Sequence, residues 1–569
     1  MTERLRIGVL CDGNHLSAWQ AKALREVLKL NSAKIALLIF NGEPPTAPEP
    51  VHAKLKRNIA NDTLIWRIYE RLVLNKKVSA THEVEFPKEL QDVPRLTVIP
   101  GRHGKFRRSL AVEDVDALRR QNLDVLIRFG FGILTGEILN VARYGIWSFH
   151  HGDPQEFRGA PPGFWEIHNR ATVTGVVLQR LTEKLDGGIV LRSGWFKTIA
   201  ANYPKSLDRI LFGATHFIAQ ALDDLHRNPA TFERGSPVKS EAPVYRYPDS
   251  KAMLRFFFNS SAAWLSDQFH SLFNHQQWTL GIVKAPVGSL YAIAAKSDLV
   301  VKDVDWMPER RGRFLADPFA LNCNSRNDDL VFLAEEYDWH TGLGQISKIR
   351  YNGNAMINCG AAICSTNHLS YPYVIEEQGR QYCVPECAGQ GFIELYELED
   401  FSQRWVQSAV LVNDVSALDP SIFKYGDKWW LFCTDAERGG NEVLLAWHAE
   451  KLLGPWLPHS GNPIKIDVRS SRPAGRPFIH DGDLIRPAQD CSGRYGGRLI
   501  FNRVSKLSPD EFEETVAGAL MPDPAGRYRA GLHTICSAGE WTVIDGARPA
   551  FHRAEMRRAV ARKLGFQRA

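Results

Sequence analysis

The sequence predicts two folds in one chain: a Rossmann-like α/β domain over residues 1–240 and, after a linker and helix over 241–275, an all-β five-bladed β-propeller over 276–569. Three observations predict it. Strand and helix signals alternate through the first 225 residues, the grammar of βαβ units. The stretch Asn228 to Tyr247, NPATFERGSPVKSEAPVYRY, then turns to Pro, Ser and charge, as linkers do. Beyond it four short blocks recur, with their prolines at 318, 372, 420 and 477, spaced by 54, 48 and 57 residues. A repeat of that length with two or more strands per copy is the mark of propeller blades rather than of a sandwich.

Taken in order, LRIGVL (Leu5 to Leu10) and KIALLIF (Lys34 to Phe40) are strands flanking a helix from Ser17 to Leu30. LTVIP (Leu96 to Pro100) precedes an amphipathic helix over Val112 to Arg120. DVLIRF (Asp124 to Phe129) is nearly all apolar except Arg128, the pattern of a strand buried on both faces. After the linker only Ser260 to Phe273 reads as helix. The four blocks ADPFAL, SYPYVI, LDPSIF and GRPFIH each lead through a turn into a second strand that ends in an acid: DLVFLAEE, RQYCVPE, KWWLFCTD and DLIRPAQD. Leu532 to Gly546 supplies a fifth blade, and Thr279 to Val283 is expected to close the ring.

Composition excludes several function classes. Lys and Arg exceed Asp and Glu by only 70 to 64, too little and too evenly spread for a nucleic-acid footprint. No run approaches the roughly 18 apolar residues of a membrane span, and Ile7 to Cys11 follows Arg4 and Arg6 too closely for a secretory signal, so a cytoplasmic protein is expected. Nine cysteines without a CxxC pair read as reduced thiols, and no metal is expected. The basic tail beginning at Arg548 reads as a solvated helix.

The chemistry in the first half is concentrated in GIWSFHHGDPQEFRGAPPGFWE (Gly145 to Glu166) and TGVVLQRLTEKLDGGIVL (Thr174 to Leu191). Here the chain resembles the folate-dependent formyltransferases, whose pattern is Asn-x-His, an RG followed by small residues and Pro, and an LDxG turn. Its counterparts are Ser148, His150, Arg158-Gly159, Pro161-Pro162 and Leu185 to Gly188, with Ser148 where the family has Asn. The resemblance covers about the first 200 residues. It implies N10-formyltetrahydrofolate as co-substrate, catalysis by His150, Asp186 and Ser148, and a pterin pocket at Phe129, Gly130, Phe131 and Gly132 formed mainly from backbone groups.

The residue types suit that reaction. Moving a formyl group between two nitrogens passes through a tetrahedral oxyanion and requires a donor there and a proton carrier. His150 can be donor or base, and Asp186 can orient it. Ser148 can donate as Asn does but reaches less far. Alternatives remain: Asp186 in LDGG also suits a type I′ hairpin, and His151 or Asp153 could fill the role of His150. Asp12-Gly13 ends the first strand without a GxGxxG fingerprint.

The second half, over about Arg313 to Val504, resembles the N-terminal domain of plant glucosamine inositolphosphorylceramide transferases, itself similar to five-bladed glycoside-hydrolase propellers. The matching phrases are HLSYPYV, YCVPE, WWLFCTD, LGPWLPHSGNPI and GRPFIHDGDLIRPAQDC. In a propeller, acids at equivalent blade positions converge on the axis. Asp317 and Asp419 each precede a block proline, while Glu335 or Glu336, Glu386, Asp435 and Asp490 follow theirs by 13 to 18 residues. Asp317, Glu386, Asp419, Asp435 and Asp490 are therefore the candidate funnel residues. They suit a two-carboxylate glycosidase or, because Tyr371 interrupts the acid pattern, a binding site alone.

The combined expectation is a formyltransferase acting on a small-molecule amine, on an amino sugar or a sugar-containing intermediate, with a propeller that binds a glycan. A tRNA acceptor is disfavoured because the second half is not a small basic barrel. The alternative is a carbohydrate-binding or glycan-processing propeller whose formyltransferase domain has degenerated, Ser148 being the trace.

Overall fold

A computed structural model describes the chain except residues 1–2, 45–48, 104–106, 185–186, 234–236, 238, 322–329, 354, 400–403 and 565–569. It divides into two compact units, Met1–Trp264 and Leu265–Ala569.

The first unit is built on a seven-stranded sheet in the order Ile189–Lys197, Val173–Arg180, Ile146–His150, Val125–Arg128, Leu5–Cys11, Ala33–Asn41, Arg95–Val98. The five strands from Ile146–His150 onward run parallel, and the first two join antiparallel. From Leu5–Cys11 the chain first builds outward through Ala33–Asn41 to Arg95–Val98, then returns to lay Val125–Arg128 on the other side. Strand order thus reverses between Leu5–Cys11 and Val125–Arg128. In open α/β sheets the crevice beyond the carboxyl ends at such a point is where ligands bind.

The elements follow from their residues. Ile7, Val9, Leu10 and Cys11 are buried, as a strand covered on both faces demands. The helix after it is Ala18–Leu28, and the side chain of Gln20 accepts the Ser17 N–H at 2.9 Å, satisfying a donor at the helix start. Val115 and Leu118 of helix Val112–Arg119 join Leu10, Leu37, Ile39 and Leu126 in one core.

The linker expected over 241–275 belongs to the first unit as far as Trp264, so that unit extends beyond 240. Val244–Tyr245 pairs in parallel with Arg158–Gly159. Tyr245 stacks on Trp165 at 4.6 Å, and Phe256 stacks on Phe164 at 4.7 Å. Asn259 donates to the carbonyls of Ile167 and His168 at 3.3 and 2.9 Å. Tyr245 thus ties down the end of the segment whose composition is that of a linker, and Phe256 and Asn259 tie down the helix that follows it. The helix itself is Ser250–Phe273 rather than Ser260 to Phe273.

The second unit is β-rich, with five antiparallel sheets of four or five strands. Three are consecutive meanders beginning with Arg313–Ala320, Ser370–Glu377 and Ala417–Tyr425. A fourth carries Phe478–His480, Asp483–Asp490, Arg498–Leu507 and Phe512–Pro522, with Leu299–Val301 added in parallel. The fifth joins the two ends of the unit. There His275–Val283 pairs antiparallel with Trp541–Ala550, the pairing expected from Thr279 to Val283 with the Leu532 to Gly546 segment. Among the described residues no helix is long and apolar enough to cross a membrane.

The repeated blocks have a common backbone. Pairing shifts register between Ala316 and Phe319, between Ser370 and Tyr373, and between Leu418 and Ser421. The residues before the three prolines, Asp317, Tyr371 and Asp419, have φ of 53°, 45° and 51°, uncommon for residues with a Cβ. Each bulge releases a backbone N–H from the ladder. The fourth block departs: there Gly475 takes the positive φ, and the strand after Pro477 is only Phe478–His480.

Candidate functional sites

In the first unit the switch-point crevice is formed by the ends of Leu5–Cys11 and Val125–Arg128. The Asp12 carboxylate accepts the Phe131 N–H at 2.7 Å and an Asn41 amide hydrogen at 3.1 Å. Gly130 has to be glycine because a Cβ there would lie 2.4 Å from the Asp12 carboxyl carbon. Other backbone groups of this loop are also engaged. The Phe129 N–H donates to Leu10 at 3.0 Å, the Phe129 carbonyl accepts from Gln20 at 3.4 Å, and the Gly132 carbonyl accepts from Arg128. Of the four residues expected to form a pterin pocket, Phe131 is buried and Gly132 exposed.

Ser148 and His150 alternate with Trp147 and Phe149 along the central strand, so they share one sheet face. Arg128 is paired in register with Ser148, and its Nε donates to Ser148 Oγ at 3.0 Å. Ser148 is 2% exposed and its hydroxyl also contacts the Phe149 carbonyl at 3.3 Å. The hydroxyl expected to be an oxyanion donor is therefore engaged with its neighbours, and the cation on that face is Arg128.

His150 is half-buried and its Nε2 lies 3.0 Å from the Phe157 carbonyl. A carbonyl only accepts, so Nε2 carries the hydrogen and the ring's lone pair is on Nδ1. Gly152 permits this contact, since a Cβ there would meet Phe157 O at 2.6 Å. His151 belongs to an aromatic cluster with Trp19 and Phe149. Burial and the neighbouring His150 push its pKa down to about 3, so it stays neutral. Asp153 accepts the Gln155 N–H at 2.8 Å and shapes the turn. Asp186 lies outside the described residues.

Sequence reasoning missed Glu166. It is 1% exposed, Oε1 has no hydrogen-bond partner among the described residues, and burial pushes its pKa up to about 8. Its place in FWEIH reads as an ordinary helical acid, which gives no signal of burial.

In the second unit the three bulges deliver their N–H groups to carboxylates. Asp317 N–H donates to Asp545 at 3.1 Å, Tyr371 N–H to Asp317 at 3.3 Å, and Asp419 N–H to Glu386 at 2.8 Å. Thr534 donates its hydroxyl to Asp317 at 2.5 Å. His533 Nδ1 lies 2.5 Å from Asp545 and Nε2 lies 3.8 Å from Asp317. The closer contact is an ion pair and not an aligned hydrogen bond. Burial opposes the charge on His533, but Asp545 and Asp317 outweigh it and lift its pKa to about 9.

Asp419 is held by Arg472 Nε at 2.6 Å and by Gln489 at 2.6 Å, with Arg472 3.6 Å from Glu386. The Arg472 guanidinium lies over Tyr495, whose ring meets His533 edge-on at 5.4 Å. Asp317, Glu386 and Asp419 thus enter one buried network. Burial raises Asp317 to about 6 and Asp419 to about 7.

Asp435 and Asp490 spend their carboxylates elsewhere. Asp435 starts helix Ala436–Gly439 by accepting Glu437 N–H at 3.0 Å and meets Arg438 at 3.2 Å. Asp490 accepts Ser492 N–H and Arg498 Nε, both at 2.9 Å. Among the described residues Asp317, His533 and Asp545 also bring metal-ligand atoms within 4.8 Å of one another. Those carboxylates already accept hydrogen bonds from Thr534, Tyr371 and the His533 backbone.

Comparison with known proteins finds two similarities. Residues 305–528 match the family described as Glucosamine inositolphosphorylceramide transferase 1, N-terminal. Over 251 residues the chain is 35% identical to the protein of that name from Oryza sativa subsp. japonica, covering 41% of this chain and 33% of the rice protein. The Arabidopsis thaliana protein is 32% identical over 208 residues, 35% of this chain and 27% of the relative. Methionyl-tRNA formyltransferase from Lachnospira eligens is 31% identical over 153 residues, 26% of this chain and 47% of the relative. The chain spans about a third of the length of the plant relatives and about half that of the bacterial one. It therefore joins a formyltransferase-like α/β unit to a β-rich region similar to the N-terminal part of the plant transferases.

Proposed function

We propose that the first unit transfers a formyl group from N10-formyltetrahydrofolate to an amine carried on an amino sugar or a sugar-containing intermediate. In the same reading the second unit is a five-bladed propeller that holds carbohydrate, and the protein is cytoplasmic. The observation that carries the proposal is His150, at the carboxyl end of a central strand beside the switch point, with Nε2–H turned to Phe157 and its lone pair on Nδ1.

The donor set suits a formyl carrier, which when bound supplies an activated carbonyl carbon. Phe129, Gly130, Phe131 and Gly132 would hold the pterin, through those backbone groups that the fold does not use. Arg128 meets negative charge developing on that sheet face, the stabilisation an oxyanion requires. His150 takes a proton from the attacking amine at Nδ1. Asp186 stays in the proposal as the group that passes this proton from His150 to the leaving folate nitrogen.

The acceptor class rests on the plant relatives, whose name includes glucosamine. For the second unit binding is favoured over cleavage. Asp419, held by Arg472 and Gln489, is poorly placed to take or give a proton.

One observation favours the rival reading, a degenerate first unit: the Ser148 hydroxyl is buried and already engaged by Arg128. Ser148→Asn separates the two. If transfer operates, restoring the family's residue maintains or raises the rate of tetrahydrofolate release in the presence of amino sugars. Release absent from both wild type and this variant would favour degeneration.

A further inference from the structure

A surface helix ordinarily turns its apolar stripe to the core. Helix Val51–Ala60 of the first unit does the reverse: Asn58 is buried, while Val51, Leu55 and Ile59, four residues apart along one face, are 84, 45 and 58% exposed. Its largest apolar residues therefore do little to hold it to the fold. Ile68 of helix Leu64–Tyr69 and Leu72 of the turn Glu70–Leu74 that continues it repeat the spacing of four and are also exposed. So do Leu254 and Phe258, in the part of helix Ser250–Phe273 that belongs to the first unit.

These three helices adjoin. Asp62, in the turn between the first two, accepts the Ser250 N–H at 3.3 Å and the Ser250 hydroxyl. Tyr69 meets Phe257 edge-on at 5.6 Å. Exposed apolar residues scattered singly need no explanation, but a set on adjoining elements with a polar rim marks an interaction surface. The rim here is basic. Lys54 and Lys56 flank Leu55, Lys76 and Lys77 follow Leu72, and Lys251 and Arg255 lie beside Leu254, all exposed. Among the described residues none of these cations has a carboxylate partner. The acids of the same stretches are already used. Glu49 pairs with Arg57 at 2.6 Å and Glu70 with Arg67 at 2.8 Å, Asp62 holds Ser250, and Asp249 accepts the Ala252 N–H at 2.7 Å.

We infer that this face of the first unit docks on an anionic lipid surface, the apolar residues entering the headgroup region and the lysines meeting the lipid charge. An apolar stripe bordered by Lys and Arg is the composition of a helix that lies in the plane of a membrane interface. Among the described residues no helix is long and apolar enough to cross a membrane, so this attachment is to the surface. A second copy of the chain fits less well. A two-fold contact sets the same patch against itself and would bring like charges together. A nucleic acid would use the cations but offers nothing to Val51, Leu55 and Ile59. The inference is independent of formyl transfer and stands or falls without it.

The test is co-sedimentation of the full chain with vesicles of phosphatidylcholine alone and of phosphatidylcholine mixed with phosphatidylserine, at low and high salt. Binding to the mixed vesicles is expected to be about tenfold or more stronger than to phosphatidylcholine, as several cations near an anionic surface allow, and to weaken as salt screens the charges. The pair Leu55→Ser with Phe258→Ser should lower that binding by about the same factor, through loss of the inserted apolar surface. The pair Lys54→Glu with Lys56→Glu should lower it toward the mixed vesicles alone. All four positions are exposed, so circular dichroism and the melting temperature should not change. Absence of binding to the mixed vesicles, or equal binding to both compositions, would overturn the inference. Binding that survives Leu55→Ser with Phe258→Ser would overturn it too, by leaving the apolar stripes without a role. A dimer in analytical ultracentrifugation that the same pair dissociates, with no vesicle binding, would make the face a contact between copies. Binding of single-stranded RNA with no vesicle binding would make it a nucleic-acid site. Should either variant fail to fold, the wild-type comparison of the two vesicle compositions still decides the matter.

Discussion

His150 gives its Nε2 hydrogen to a main-chain carbonyl, so any proton it moves has to come and go at Nδ1. Removing the ring should cost the positioned acid-base contribution, about 10² or more in rate. Folding should be little affected, because the side chain is only half-buried. His150→Ala is therefore expected to lower tetrahydrofolate release by that factor with an unchanged melting temperature. An unfolded or fully active variant would count against the assignment. As a candidate, His150 was legible in the sequence because it stands where a strand runs into a turn-rich segment. Arg128 was not, since one arginine in an apolar strand gives no hint that it will reach Ser148 on the neighbouring strand. The contact depends on a register only the folded sheet sets.

Strands of the second unit are locked by an ion pair that reaches across the strand Arg498–Leu507 between them. Arg486 on Asp483–Asp490 meets Glu514 on Phe512–Pro522 through two nitrogens at 2.8 and 2.6 Å, both side chains 2% exposed, and Lys465 adds a third contact at 2.6 Å. Burial alone would raise the Glu514 pKa, but Arg486 and Lys465 overcome it and bring it down to about 2. A depressed carboxyl adds stability that is fully present above its unfolded value, near 4.3, and is lost as pH falls toward 2. Glu514→Gln should remove this part of the acid sensitivity. At neutral pH it should cost roughly 3–5 kcal/mol, because two buried cations lose their partner. Urea unfolding at pH 7 and pH 3 measures both effects. The repeat was readable from the sequence through the prolines at 318, 372 and 420, but the bulges beside them were not, although a proline cannot donate to the ladder and sits where it opens. The fourth block obeys the same spacing yet turns at Gly475 instead. Spacing alone does not distinguish a bulge from a turn.

The molecule divides into two units at Trp264 and Leu265, whereas composition alone puts a boundary near residue 240. Pro, Ser and charge between Asn228 and Tyr247 indicate a linker, whereas Tyr245, Phe256 and Asn259 pack into the first unit. Local composition does not register such contacts across more than 80 residues of sequence. A fragment ending at Trp264 is accordingly expected to melt cooperatively and well above one ending at residue 240, which lacks all three anchors. Equal melting temperatures would show that those anchors contribute nothing. The α/β character of the first unit was legible throughout, because strand and helix periodicity is local. The roles within the carboxylate network were not, since they depend on which strands the fold brings together.

The central claim is that the first unit moves a formyl group. The measurement that tests it most directly is incubation of the full chain with N10-formyltetrahydrofolate and a panel of amino sugars, free and nucleotide-linked. Tetrahydrofolate release and the acceptor's gain in mass are followed together. The account predicts release that depends on acceptor, an acceptor heavier by one formyl group, and loss of both in His150→Ala. Absence of release with every amine offered, or release undiminished in His150→Ala, would contradict it.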